Sequence, residues 1–188
     1  MESLLFDRGT ACSFTGHRPD RLPSGWRQEA SALSPLRRAM DAAIGGALED
    51  GYRTFLCGMA LGTDILAAEL VLGRRERGQS LRLIAALPCP GQDSRWSREQ
   101  QARYRRLLSR ADGVQVLCDR YTPYCMAARN RWMVEHSARL IAVYDGGSGG
   151  TAGTVSLARR QGLEMVTIDP RCPEYLSPQT RTLFHFSE

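Results

Sequence analysis

Apolar runs of five to eight residues alternate along the chain with longer stretches whose apolar positions recur every three or four residues. The short runs fall at 10–15 (TACSFT), 54–58 (TFLCG), 81–88 (LRLIAALP), 114–118 (VQVLC), 139–145 (RLIAVYD) and 164–169 (EMVTID), and they predict six strands. Between them, helical spacing predicts a helix over 29–50, through Leu33, Leu36, Met40, Ala43, Ile44, Ala47 and Leu48. Further helices are predicted over 63–77, about 97–111, about 124–137 and 151–160. Unbroken apolar runs suit strands covered on both faces, and the lack of a hairpin signal between them argues for parallel pairing. The predicted fold class is α/β, a doubly wound, mainly parallel sheet of about six strands with helices on both faces.

No repeat, low-complexity tract or linker interrupts this alternation, so residues 1–170 read as a single domain and 171–188 as a proline-rich C-terminal tail. A chain of 188 residues buries enough surface for an independent core. Six cysteines (Cys12, Cys57, Cys89, Cys118, Cys125 and Cys172) contain no CxxC pair, and Cys12, Cys57 and Cys118 sit in strand-like runs. They read as buried thiols in a reducing cytosol, and no metal site is expected. With no secretory leader pattern and no run near ~20 apolar residues, the expectation is a cytoplasmic protein without a membrane partner.

All 25 basic residues are arginine. Without lysine there is no Walker-type phosphate lysine, no Schiff-base lysine and no lysine general base. Asn130 is the sole asparagine. Lysine and asparagine share A-rich codons, so a GC-rich genome explains both, but a residue retained against that bias is a candidate for a specific hydrogen bond. The net charge of +5 is spread among acids, apart from Arg103, Arg105, Arg106 and Arg110 on one predicted helix. That cluster reads first as a solvated face.

In a doubly wound sheet, ligands bind beyond the carboxyl ends of the strands, and three unusual segments lie there. After the first strand, Thr15 and Gly16 allow close backbone approach, while His17 and Arg18 offer a titratable ring and a guanidinium fork. After the second, Gly58 and Gly62 flank a tight turn, Thr63 is a predicted N-cap, and Asp64 stands in the first helical turn. Such a helix start suits a phosphate, or Asp64 can bind ribose hydroxyls; Glu69 follows on a different face. After the fifth, Asp145 precedes Gly146, Gly147, Gly149 and Gly150, four glycines within five residues, before Thr151 opens a helix. Backbone so costly to order is typical of a loop wrapped round a phosphate, whose charge must then be met by backbone dipoles or arginine. Pro88 and Trp96 bound a polar loop after the third strand, where Trp96 either stacks on a base or packs. Asn130 either reads a base or ribose or makes a bond inside the fold.

The motifs GHRP, GMALGTDILAAE, LPCPGQ, RNRWMVEHS and LIAVYDGGSGGT, in this order, resemble the YpsA-like branch of the SLOG superfamily over about residues 10–168. The resemblance implies a Rossmann-like domain with a nucleotide or nucleotide-derived ligand at the strand ends. The superfamily includes the LOG phosphoribohydrolases, the molybdenum-cofactor carrier proteins and DprA. The LOG signature PGGxGTxxE has Asp145 here in place of its proline and Thr154 in place of its glutamate, so the catalytic carboxylate of those hydrolases does not carry over.

The preferred expectation is a binding domain for a small nucleotide-like ligand, acting as sensor or carrier, with no catalysis assigned. Nucleotides, NAD and ADP-ribose-like compounds are the candidate ligands. An enzyme would be a nucleotide N-glycosidase using Asp64 or Glu69. A DprA-like single-stranded nucleic-acid module ranks behind both. Trp132 and Met133 belong either to the face of a homo-oligomer or to internal packing.

Overall fold

A computed structural model describes residues 4–23 and 34–173. The six strands are β1 (Ala11–Gly16), β2 (Thr54–Cys57), β3 (Arg82–Leu87), β4 (Gly113–Val116), β5 (Arg139–Val143) and β6 (Glu164–Ile168). They pair in parallel throughout, in the order β4, β3, β2, β1, β5, β6. The helices are α1 (Ser34–Glu49), α2 (Thr63–Glu76), α3 (Arg98–Leu108), α4 (Cys125–Glu135) and α5 (Gly150–Arg160). The doubly wound α/β prediction therefore holds. The predicted helix over 29–50 begins at Ser34 among the described residues, and of the tail only 171–173 are described.

Strand alternation sorts the side chains into two layers. Cys12, Phe14, Phe55, Cys57, Leu83, Ala85, Ile141 and Val143 point into the large core shared with α1, α2 and α3. Their neighbours Leu140 and Ala142 meet Val134, Val155 and Ala158, while Leu56, Ile84 and Ala86 meet Met133. The split follows from the winding. The chain steps from β1 to β4 in one direction, then returns past β1 to place β5, and right-handed crossovers put α4 and α5 on the opposite face. Phe14 stacks on Phe55 at 5.9 Å near the centre. Ser13, facing the second layer, shares a 2.8 Å hydrogen bond with Ser137, so its buried hydroxyl is satisfied.

The two edge strands, β4 and β6, depart most from continuous burial, and β4 leaves Val114 and Val116 exposed. Cys118 lies just past that strand and is partly exposed, unlike the fully buried Cys12 and Cys57. Burial pushes the Cys12 thiol up to about 12 and the Cys57 thiol higher still, which keeps both protonated and unreactive. Met133 is covered by the sheet, and Trp132 packs edge-on to Phe6 and against His136, so internal packing accounts for both. Among the described residues, no helix is long and apolar enough to cross a membrane.

The amino-terminal edge of the sheet is closed by a buried arginine. Arg139 donates to Asp50 at 2.5 Å and to Glu164 at 2.7 Å, and its guanidinium lies 4.3 Å from the Tyr52 ring centre. Desolvation opposes its charge, but the hydrogen bonds it donates to the two carboxylates outweigh it and raise its pKa. Replacing Arg139 with Met should leave both carboxylates without a cation at a semi-buried edge, Glu164 keeping its bond from the Tyr52 hydroxyl. We expect a loss of roughly 2 to 4 kcal/mol, somewhat less than for a fully buried pair because both acids reach water. An unchanged urea midpoint for R139M would show that the cluster is decorative.

Candidate functional site

Winding reverses between β1 and β5, and the loops leaving these neighbouring strands diverge to opposite faces. A crevice opens there, as it does in doubly wound sheets generally. Its volume is about 250 Å³, and it is bounded by the β1 loop, the start of α2, one side of α4 and the start of α5.

The β1 loop and the start of α2 are locked together through one carbonyl. His17 O accepts from Thr63 N at 3.2 Å and from Thr63 Oγ1 at 3.1 Å. Gly62 holds φ at 98°, and a Cβ there would lie 2.5 Å from the same oxygen. A Cβ on Gly16 would likewise collide with the Thr63 side chain. Gly62 is the N-cap and Thr63 the first helical residue, so the Thr63 hydroxyl ties two loops together instead of capping its own helix.

Beneath this junction lies an ion pair. Arg129 Nη1 donates to Asp64 Oδ2 at 2.9 Å, with both side chains more than nine-tenths buried. The same oxygen accepts from Ala60 N at 3.2 Å. Oδ1 is left for the cleft that Asp64 lines. A Cβ on Gly58 would fall on Arg129 Nη1, so the glycine is what admits the guanidinium. Met59, fully buried, adopts φ 55°, a left-handed conformation costing roughly 1 to 2 kcal/mol in a side-chain-bearing residue. Gln92 braces it by donating to Met59 O at 3.2 Å.

On the β5 side, buried His17 places Nε2 2.8 Å from Asp145 Oδ1 and 3.3 Å from Asp145 N. The Asp145 carboxyl is held below the usual aspartate range, chiefly by the Gly147 N–H, with His17 and Arg21 adding to the effect. Arg21 Nη1 donates to Ser148 O at 3.0 Å and so pins the glycine turn to the β1 loop. Gly146 and Gly149 occupy φ 86° and 127°, conformations that favour glycine. Gly150 differs, because its φ lies outside the left-handed region and nothing lies within 4 Å of where its Cβ would stand. Asn130 Nδ2 donates to Thr154 Oγ1 at 2.9 Å, and that hydroxyl donates to Gly150 O at 3.0 Å, which couples α4 to the first turn of α5.

The two helix starts differ in charge. Neither has a side-chain cap, but α2 carries Asp64 in its first turn, whereas α5 has no acid there and its first residues, Gly150 and Thr151, line the crevice.

Of the residues expected from sequence, Thr15, Gly16, His17 and Arg18 line the crevice, together with Asp64, Asn130, Gly150 and Thr151. Gly58, Gly62 and Thr63 stand behind its wall as packing elements. Asp145, Gly146, Gly147 and Gly149 shape the turn without lining it. Pro88 and Trp96 lie elsewhere: Pro88 O pairs with Cys118 N, and Trp96 packs edge-on to Tyr104 at 5.3 Å. Glu69 faces away too, gripped by Arg103 at 2.6 and 2.8 Å and by Arg37 at 3.3 Å. Sequence reasoning missed Arg21 and Arg129. Arg21 sits in a stretch that reads as ordinary loop, and Arg129 meets a partner 65 residues away, so no local spacing announces either.

The SPbeta prophage-derived protein YoqJ of Bacillus subtilis (strain 168) is 35% identical over 125 residues, covering 60% of this chain and 72% of that protein. A UPF0398 protein of Bacillus pumilus (strain SAFR-032) is 29% identical over 133 residues, covering 70% and 71%. The fold is shared with the DNA processing protein A (DprA) of Streptococcus pneumoniae, at TM-score 0.55 and 17% identity, with 86% of this chain matched to 51% of that one. DprA of Helicobacter pylori, described with a single-stranded DNA binding mode, gives TM-score 0.59 and 16% identity, with 86% matched to 66%. This chain thus spans one half to two thirds of the DprA chains. The model of the YspA SLOG family matches residues 12–165, and the chain belongs to that family.

Proposed function

We propose that the protein binds a small phosphate-bearing, nucleotide-like ligand in the crevice between β1 and β5, as a sensor or carrier. One observation carries this reading: the start of α5 is uncapped and free of acid, and it opens on the crevice at Gly150, where no protein atom occupies the space a Cβ would need. Backbone N–H groups and the helix dipole suit a phosphate there, and Arg21 beside the turn supplies the charge that lysine provides elsewhere. Asp64, ion-paired with Arg129, lines the crevice within reach of ribose hydroxyls. At about 250 Å³ the crevice is below the ~300 to 1,000 Å³ usual for drug-sized ligands, so a mononucleotide suits it better than NAD or an ADP-ribose-like compound.

The N-glycosidase reading is weaker. Glu69 is consumed by Arg37 and Arg103, and Thr154 stands where the LOG signature has glutamate, occupied by Asn130 and Gly150 O. The nucleic-acid reading draws on the DprA-like fold, but its arginine cluster is met by acids: Arg103 by Glu69, Arg110 by Glu76 and Arg105 by Asp93 at 3.7 Å. Salt-sensitive binding of single-stranded DNA at low ionic strength would promote it.

A thermal-shift screen tests the proposal. A ligand at about 100 times its Kd should add ~2.7 kcal/mol, whereas no stabilisation by any nucleoside monophosphate or sugar phosphate would refute it. Chromatography should find no free base after incubation with nucleoside monophosphates. Two glycine variants separate binding from folding. G150A should weaken binding by about tenfold with no loss of stability, because the Cβ enters only the ligand's space. G58A should instead cost roughly 3 kcal/mol by expelling Arg129 from Asp64. N130A should lose about 1 kcal/mol of stability with the Thr154 bond, and weaker ligand binding as well. Unaltered affinity in N130A would reduce Asn130 to a strut between helices.

A further inference from the structure

Arg129 is more heavily buried than its hydrogen bonding justifies. Its side chain is 6% exposed, and among the described residues only Nη1 meets an acceptor. Nε is fully buried with none. Gly58 closes the near side and Asp64 occupies Nη1, while the residue also lines the crevice. Arg18 stands at the rim of the same crevice, where desolvation lowers its pKa and neighbouring Arg129 adds to the lowering, against a partial offset from Asp64. Three arginines (Arg18, Arg21 and Arg129) and two aspartates (Asp20 and Asp64) line the space, a surplus of one positive charge. A guanidinium withdrawn from water without full pairing is costly, and an anion would relieve it.

Position decides whether a single phosphate could serve both this arginine and the α5 terminus. Arg129 rests against Gly58 and Asp64 at the end of β2, whereas Gly150 and Thr151 follow β5, with β1 between the two strands. Two strand spacings of ~4.8 Å put these points about 10 Å apart, beyond the reach of one phosphate. The geometry points to a second anion subsite at Arg129 and Arg18, so that the ligand carries two anionic groups on a ribose-sized frame. This rests on the phosphate reading of the α5 terminus. The second group is a phosphate or a carboxylate, both of which match a guanidinium fork.

Isothermal titration of the whole protein distinguishes these cases. The probe pairs are adenosine 5′-monophosphate with adenosine 3′,5′-bisphosphate, and ribose 5-phosphate with ribose 1,5-bisphosphate; 6-phosphogluconate forms the carboxylate arm. At least one doubly anionic probe should bind about tenfold tighter than the monophosphates, and which one does so identifies the second group. R129K keeps a charge to pair with Asp64 but loses Nε and the planar fork, and R18Q removes the rim charge without touching the core. R18Q should erase most of that gain while leaving monophosphate affinity within about twofold, and R129K, which also alters the wall of the crevice, should reduce the ratio of doubly anionic to monophosphate affinity to near one. If R129K does not fold, as judged by its melting transition, R18Q alone decides. Monophosphate binding with no gain from a second anion, or a gain that survives the substitutions, overturns the subsite and leaves the phosphate reading standing. Failure of every probe to bind removes both.

Discussion

The ion pair between Arg129 and Asp64 is the contact on which the arrangement of the crevice depends. It spans the two layers of the fold, because Asp64 belongs to α2 on one face of the sheet and Arg129 to α4 on the other. Moving two charges out of water costs several kcal/mol per ion, so the pair need not contribute net stability. What it supplies is position. Asp64 Oδ2 fixes the backbone of Ala60, its main-chain carbonyl accepts from the Cys57 thiol, and the guanidinium fills the space that Gly58 leaves free. The left-handed Met59 is held within this web. Removing either charge would strand the other in the interior and release the loop that shapes one wall of the crevice.

The two edges of the sheet use buried arginine differently. At the amino-terminal edge, Arg139 is enclosed by Asp50, Glu164 and the Tyr52 ring, and carboxylates outnumber the guanidinium. At the carboxyl edge the balance is reversed, and arginines outnumber the acids lining the crevice. A surplus of acid around a cation closes a structure; a surplus of cation around a cavity leaves it incomplete until an anion arrives. In a chain without lysine, both tasks fall to a residue that cannot shed its charge. The site therefore cannot neutralise itself by deprotonation, as a buried lysine could.

Much of the fold was legible because its strands are covered on both faces, and continuous apolar runs such as RLIAVYD are what that environment selects. Strand order was less accessible. The return from β4 to a place beside β1 is a long-range choice of topology, and no residue pattern near either strand encodes it. The loops of the crevice were readable for the same reason they are unusual, since glycine, histidine and aspartate at strand ends are locally conspicuous. Arg129 was not: one arginine among 25, on a helix, becomes distinctive only when Gly58 and Asp64 arrive from another layer. Trp96 illustrates a choice that sequence leaves open. An aromatic in a polar loop either stacks on a base or packs, and Tyr104 in the following helix provides a packing partner.

Glycine density alone is ambiguous evidence of ligand binding, and this fold shows how the ambiguity is resolved. Gly16, Gly58 and Gly62 are dictated by protein atoms: Thr63, Arg129 and the His17 carbonyl occupy the space that a side chain would need. Their absence of side chains is explained without a ligand. Gly146 and Gly149 are explained by backbone conformation. Gly150 meets neither condition, being the first helical residue of α5 with open space around it, a position where alanine would favour the helix. The two glycine-rich turns that look equivalent in sequence therefore divide: the one before α2 is filled by the protein's own Asp64 and Arg129, and the one before α5 is left empty. A phosphate is repelled by the carboxylate at the first and attracted by the bare helix terminus at the second. In the proposed binding mode that asymmetry, more than the number of glycines, orients the ligand, with its phosphate toward β5 and the rest of the molecule lying across β1 toward Arg129.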